Sequence, residues 1–121
     1  MIASTALVDG SQTPGVYRVL AEPSEIVQAL GEAGWTPVVV PAVLRTRDFY
    51  TEIAQALELP SYFGRNADAL WDSLTDLPGP TAVVLVDWTR FAQARPERWA
   101  RILSVLAERT QQGPTFALVL A

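Results

Sequence analysis

One uninterrupted apolar run, Thr81 to Val86 (TAVVLV), constrains the fold more than any other feature of the sequence. It is short, rich in β-branched residues and bounded by Pro80 and Asp87, which is typical of a strand covered on both faces. Comparable β-like runs lie at Gly15 to Leu20, Trp35 to Val40 and Thr115 to Leu120. Within the second of these, Pro37 lacks a backbone N–H and restricts pairing at the start of the strand.

Segments whose apolar residues follow helical spacing separate these runs. The predicted helices are Pro23 to the stop at Gly34, residues 47–58 with Thr46 as N-cap, Asn66 as N-cap to about Asp76, and a segment from Pro96 to the break at Gly113-Pro114. Alternating strands and helices predict an α/β domain with a small three- or four-stranded, mainly parallel sheet and helices packed on its faces.

The composition of the chain excludes several kinds of catalytic and metal-binding site. The chain has 121 residues, a size for one domain, and half of them are hydrophobic, as in globular proteins. It has no Cys, His or Lys, which excludes a thiol nucleophile, a His-based triad, a Schiff-base lysine and the usual zinc sites. No segment has the pattern of a secretion signal or the length of a membrane span, so we expect a cytoplasmic protein that needs no metal or cofactor.

The negative charge is concentrated in one part of the chain. The formal net charge is −4, and no positive residue lies between Arg65 and Arg90. The acidic residues of that window are Asp68, Asp72, Asp76 and Asp87, and the rest of the chain is formally neutral. The net negative charge favours a basic partner and argues against direct nonspecific binding of nucleic acid. The lack of an apolar run of spanning length argues against a membrane partner.

The predicted helix after Asn66 carries most of this charge. Its apolar residues at i, i+3, i+4 and i+7 should form the buried face: Ala67, Leu70, Trp71 and Leu74. Asp68, Asp72 and Asp76 follow at i, i+4 and i+8, so their carboxylates stack along one exposed edge. Each like-charged i,i+4 pair costs about 0.2 to 0.5 kcal/mol in an isolated helix, so the arrangement calls for an explanation.

The three carboxylates of this helix differ in the explanations that are open to them. Asp68 can complement the positive N-terminal end of the helix, or it can contact a partner. Asp76 lies near the C-terminal end, where a solvated surface charge is the ordinary interpretation. Asp72 lies in the middle of the helix and has neither explanation, so it is the main candidate for binding a cationic surface that normally holds phosphate. An acid–base pair of Asp68 and Asp72 in an enzyme is the weaker alternative.

The segment Leu59 to Thr75 (LPSYFGRNADALWDSLT) resembles the central segment of the barstar family, intracellular inhibitors of barnase-type ribonucleases. The resemblance extends from about Trp35 to Ala121. It implies a barstar-like domain at residues 35–121, with residues 1–34 as a strand–helix extension integrated with that domain. Three positions depart from the family pattern: Arg65 stands at a commonly acidic position, Leu77 where an aromatic residue is familiar, and Gln112 at a usual acid.

The resemblance also implies a function. The protein would be a bacterial antitoxin or immunity protein that occludes the active site of a basic, extracellular-type ribonuclease or nuclease toxin, with Asp72 in the place of a substrate phosphate. The inhibitory surface it implies comprises Tyr62, Phe63, Asn66, Asp68, Asp72, Asp76 and Glu108. Core packing is the alternative for the two aromatic residues. An interaction module of the same fold that binds another basic protein is the alternative function.

Overall fold

The computed structural model describes Leu7, residues 12–60 and residues 64–121. Its sheet has four parallel strands in the order β1-β4-β3-β2. The strands are β1 (Gly15–Arg18), β2 (Thr36–Val40), β3 (Thr81–Leu85) and β4 (Phe116–Leu120). The predicted α/β class with a three- or four-stranded, mainly parallel sheet is therefore confirmed, and the described sheet has four strands, all parallel. Pro37 lies on β2, an edge strand, where a missing backbone donor is tolerated.

Five helices of the described residues connect or follow these strands. They are α1 (Pro23–Glu32), α2 (Thr46–Ala56), α3 (Ala67–Thr75), α4 (Trp88–Ala94) and α5 (Pro96–Arg109). The seven-residue helix α4 was not predicted, because it follows β3 after only two residues, Val86 and the left-handed Asp87, and has no side-chain cap. None of the described helices has both the length and the apolar character needed to cross a membrane.

Two predicted features of α2 were wrong. The N-cap position is held by Arg45, without a side-chain cap, and Thr46 is already part of the helix. The helix also ends at Ala56 rather than at residue 58. Glu58 adopts φ +55°, a left-handed conformation, and the Leu59 amide donates to the Ala54 carbonyl at 2.8 Å. This turn ends the helix before Pro60 is reached.

The sheet divides the core into two layers. Alternate residues of the central strands β3 and β4 point to opposite faces, and both strands are buried along their whole length. One face packs against α1 and Leu7, with Trp35 and Leu30 in that layer. The other face packs against α2 to α5, through Ile53, Leu70, Phe91 and Ile102 among others. Helix α3 is therefore on the four-helix face, and α1 is on the opposite one.

Two loops meet at the amino-terminal end of β3 and β4. The backbone N–H of Thr81 donates to the Thr115 carbonyl at 3.0 Å. A Cβ atom added at Gly79 would lie 2.6 Å from the backbone nitrogen of Thr115, so this close approach requires glycine. The loop that leaves α3 is thus packed directly against the loop that leaves α5.

Candidate functional site

The start of the acidic helix is held by its N-cap. Asn66 has the extended conformation of an N-cap, and its Oδ1 accepts a hydrogen bond from the Ala69 amide at 2.8 Å. This confirms Asn66 as the N-cap and satisfies one of the amides that a helix start leaves without a partner. The side-chain oxygen of Asn66 is therefore engaged within the protein. The predicted site residues just before it, Tyr62 and Phe63, lie outside the described residues.

Helix α3 is attached to the core through one face. Ala67, Leu70 and Leu74 are buried as predicted. Trp71, which the spacing placed on the same face, is only half-buried and lies at the edge of the contact between α3 and α5. Its indole borders a surface groove rather than filling the core. An aromatic side chain in this position is available to a partner as well as to packing.

The three carboxylates of α3 lie on its exposed edge, as predicted, but they are not equivalent. Asp68 Oδ1 lies 3.7 Å from Nη2 of Arg101 on α5, and both side chains are mostly exposed. An exposed ion pair of this kind contributes about 0 to 1 kcal/mol, so Asp68 is weakly held. Among the described residues, no hydrogen bond or ion pair engages the carboxylates of Asp72 and Asp76. Asp76 occupies the C-cap position.

An open groove of about 640 Å³ runs between α3 and α5. Asp68 and Trp71 line it from α3, and Glu108 lines it from α5. The Glu108 carboxylate accepts a hydrogen bond from the Gln112 side chain at 3.3 Å. The structure therefore brings Asp68 and Glu108, which are 40 residues apart in the chain, to one groove. Asp72 and Asp76 continue along α3 outside its lining.

A buried arginine, Arg109, ties this helix to the rest of the fold. Only 1% of its surface is exposed. Its Nε donates to the Leu74 carbonyl in the last turn of α3 at 2.8 Å, and Nη2 donates to the Leu77 carbonyl at 3.4 Å. Nη1 donates to the Pro114 carbonyl, also at 2.8 Å, in the loop before β4. One guanidinium therefore joins the end of α3 to both loops at the amino-terminal edge of the sheet.

Arg109 has carbonyl partners rather than a carboxylate. Its guanidinium carbon lies 5.0 Å from the centre of the Phe116 ring, so an aromatic face also stabilises the charge. Burial lowers the pKa of Arg109 from its ordinary value, but an arginine side chain stays protonated in proteins. The positive charge also complements the negative C-terminal end of α3. The burial of Arg109 was not predicted, although the residue follows Ile102 and Leu106 at the spacing of the buried face.

Grouped carboxylates can serve as ligands of a metal ion. Nowhere in the described part of the chain do three His, Cys, Asp or Glu side chains cluster closely enough to hold a metal ion. What the site offers instead is a row of exposed carboxylates beside a half-buried indole, on a helix anchored at both ends. The fold and the site together define a parallel α/β domain with an acidic helix at its surface.

Comparison with protein families identifies this domain. The model of the family described as Barstar (barnase inhibitor) matches residues 38–121, well over half of the chain. The chain therefore belongs to the barstar family, as the resemblance predicted. The match covers most of β2 and everything after it, including the whole of α3, whereas β1 and α1 precede it. At the level of the family, the function is inhibition of barnase-like ribonucleases.

We expect Arg109→Met to lower the free energy of unfolding by at least about 3 kcal/mol, because several carbonyl groups lose a charged donor in a buried place. Arg109→Lys should be less destabilising than Arg109→Met but less stable than the parent, since an ammonium group cannot reproduce the planar set of N–H donors of a guanidinium. Chemical denaturation measures both values. Arg90→Met, at an exposed residue of α4, is the matched control and should change stability by less than about 0.5 kcal/mol. Equal effects of the two methionine variants would show that Arg109 is not an anchor.

Proposed function

We propose that this protein is an intracellular, stoichiometric inhibitor of a basic ribonuclease or nuclease toxin, and that it acts as an antitoxin or immunity protein in a bacterial cytoplasm. Helix α3 and the loop before it would occlude the active site of the nuclease. The proposed interface comprises Tyr62, Phe63, Asn66, Asp68, Asp72, Asp76 and Glu108. The inhibitor works by binding alone, without catalysis, metal or cofactor.

The proposal depends chiefly on one observation, the exposed carboxylate of Asp72 and its lack of a basic partner among the described residues. Asp72 lies in the middle of an anchored helix. It lies one turn from Asp68 and one turn from Asp76, so it bears like-charge repulsion from both sides. A cationic partner removes that repulsion and supplies the missing hydrogen-bond donors. A ribonuclease active site, built to hold phosphate, is such a partner.

The residues around Asp72 also favour binding to a basic active site. The groove beside α3 adds the carboxylates of Asp68 and Glu108 and the indole of Trp71 to the surface. Aromatic residues surrounded by polar groups are common at the centre of protein interfaces. Because the N-cap of Asn66 and the Arg109 anchor hold both ends of α3, little ordering of this helix is required on binding. We infer that the acidic edge is preorganised for a rigid basic cleft.

Asp72→Ala should weaken inhibition of a purified barnase-type ribonuclease by about 30-fold or more, corresponding to the roughly 2 to 5 kcal/mol that truncating a buried charge partner costs. The effect should appear mainly in the dissociation rate. The free variant should be as stable as the parent or more stable, because a repulsive charge is removed and alanine favours helix. Inhibition assays, binding kinetics and thermal unfolding measure these quantities.

Glu32→Ala is the control for net charge, since Glu32 is an exposed carboxylate on α1, across the sheet from α3. It should leave the dissociation rate unchanged. If Asp72→Ala and Glu32→Ala reduce inhibition equally, general charge rather than phosphate mimicry would explain the binding. If a partner captured from the source cells has no nuclease activity and competes for α3, the protein would instead be an interaction module.

We also propose that residues 1–34 form an extension integrated with the domain of residues 35–121. Strand β1 pairs with β4 in parallel, from the pair Gly15 and Ala117 to the pair Arg18 and Leu120. Helix α1 supplies Leu30, which is completely buried against the face of the sheet opposite to α2 to α5. Without this extension, β4 would become an edge strand and one face of the sheet would lose its cover.

Leu30→Ala tests the integration of the extension. The variant should keep a single cooperative unfolding transition and lose about 2 to 5 kcal/mol, because a cavity opens in a shared core. Leu20→Ala, at a leucine that is 92% exposed, is the control and should have little effect. Two separate transitions, with the second at the parent's midpoint, would show that the extension folds apart from the remaining domain.

A further inference from the structure

A second charged surface lies outside the acidic edge. An open groove of about 490 Å³ is formed where the first turn of α2, the start of α5 and the residue before Asn66 come together. Its lining residues are Thr46, Arg47, Tyr50, Arg65, Arg95 and Arg98. Four of the nine positive residues of the chain therefore line one concavity, and no carboxylate lines it with them.

The charges of these four arginines are not neutralised by the described residues. All four side chains are exposed, and the ion pairs of the described chain join Arg45 to Asp48 and Arg101 to Asp68 instead. Arg65 donates from Nε to the Thr51 hydroxyl at 3.3 Å, which orients the guanidinium without balancing its charge. In a protein with a net charge of −4, this is a local excess of positive charge. Mutual repulsion makes the cluster unfavourable unless an anion occupies the groove.

The backbone at the groove also favours an anion. Helices α2 and α5 both begin there, at Thr46 and Pro96, and neither has a side-chain cap. The first turns also contain acidic residues, Asp48 and Glu97, but neither lines the groove. The amides of a first helical turn lack partners within the helix, and their dipoles favour negative charge. Arg98 and Arg101 act on the neighbouring Tyr50, whose pKa is raised by burial while the two arginines oppose that rise. Arg98 and Tyr50 both line the groove, so this positive charge acts on a neighbouring side chain of the same surface.

We propose that the groove lined by Arg47, Arg65, Arg95 and Arg98 binds the phosphate groups of a nucleotide or of a short RNA strand. Phosphate oxygens accept the paired N–H bonds of arginine and those of helix N-termini. The groove lies within the range of small-ligand sites, about 300 to 1,000 Å³. This binding requires only the free protein and does not depend on a nuclease partner.

Calorimetric titration of the full chain at low ionic strength with pyrophosphate, adenosine diphosphate and a short 5′-phosphorylated oligoribonucleotide tests the proposal. The parent protein should bind pyrophosphate, and Arg98→Gln should weaken that binding about tenfold, as expected for the loss of a charged hydrogen-bond donor. Arg90→Gln removes the same charge outside the groove and should leave affinity within about twofold. Thermal unfolding of all three proteins checks that they are equally folded.

The three probes separate the sources of the phosphate. Tighter binding of adenosine diphosphate than of pyrophosphate points to a nucleotide, and tighter binding of the oligoribonucleotide points to RNA. The proposal is overturned if pyrophosphate does not bind, or if Arg98→Gln and Arg90→Gln weaken its binding equally. It is also overturned if a poly-glutamate peptide binds the groove while the phosphate probes do not, because the ligand would then be an acidic protein segment.

Discussion

The buried guanidinium of Arg109 is the interaction on which the position of the acidic helix depends. Helix α3 is short, and its buried residues are Ala67, Leu70 and Leu74. Apolar contacts of this kind hold a helix against its neighbours but do not determine where it ends. Arg109 does so through directed bonds to the carbonyls of Leu74 and Leu77. The same side chain holds the entrance to β4, so the acidic edge and the central sheet share one anchor.

This anchoring explains how the fold tolerates an unfavourable row of charges. The carboxylates of α3 repel one another, and the surface pair between Asp68 and Arg101 offsets little of that repulsion. The free energy needed to keep the row in place comes from the N-cap at Asn66, the buried face of the helix and Arg109. The protein therefore carries an exposed Asp72 whose charge is not compensated within the described residues. Binding energy becomes available when a basic partner supplies that compensation.

The sequence predicted the α/β class, the four strands and the acidic edge, because hydrophobic periodicity and breakers such as Pro80 report local structure directly. It did not predict α4, because seven residues are too few to show a helical pattern of apolar residues. Nor could it reveal the approach of Arg101 to Asp68 or the arginine groove, since these bring together residues from separate helices. A single charged residue on the apolar spacing of α5, Arg109, was the one signal of the anchor available in the sequence.

Mapping of the contact surface in solution tests directly whether α3 presents its acidic edge to a basic ribonuclease. The isotope-labelled protein would be titrated with a barnase-type ribonuclease and followed by NMR spectroscopy of its backbone amides. We expect one-to-one binding, with the largest shifts between Asn66 and Asp76 and smaller ones near Glu108. No binding, or shifts confined to α1 and β1 with α3 unchanged, would contradict this expectation.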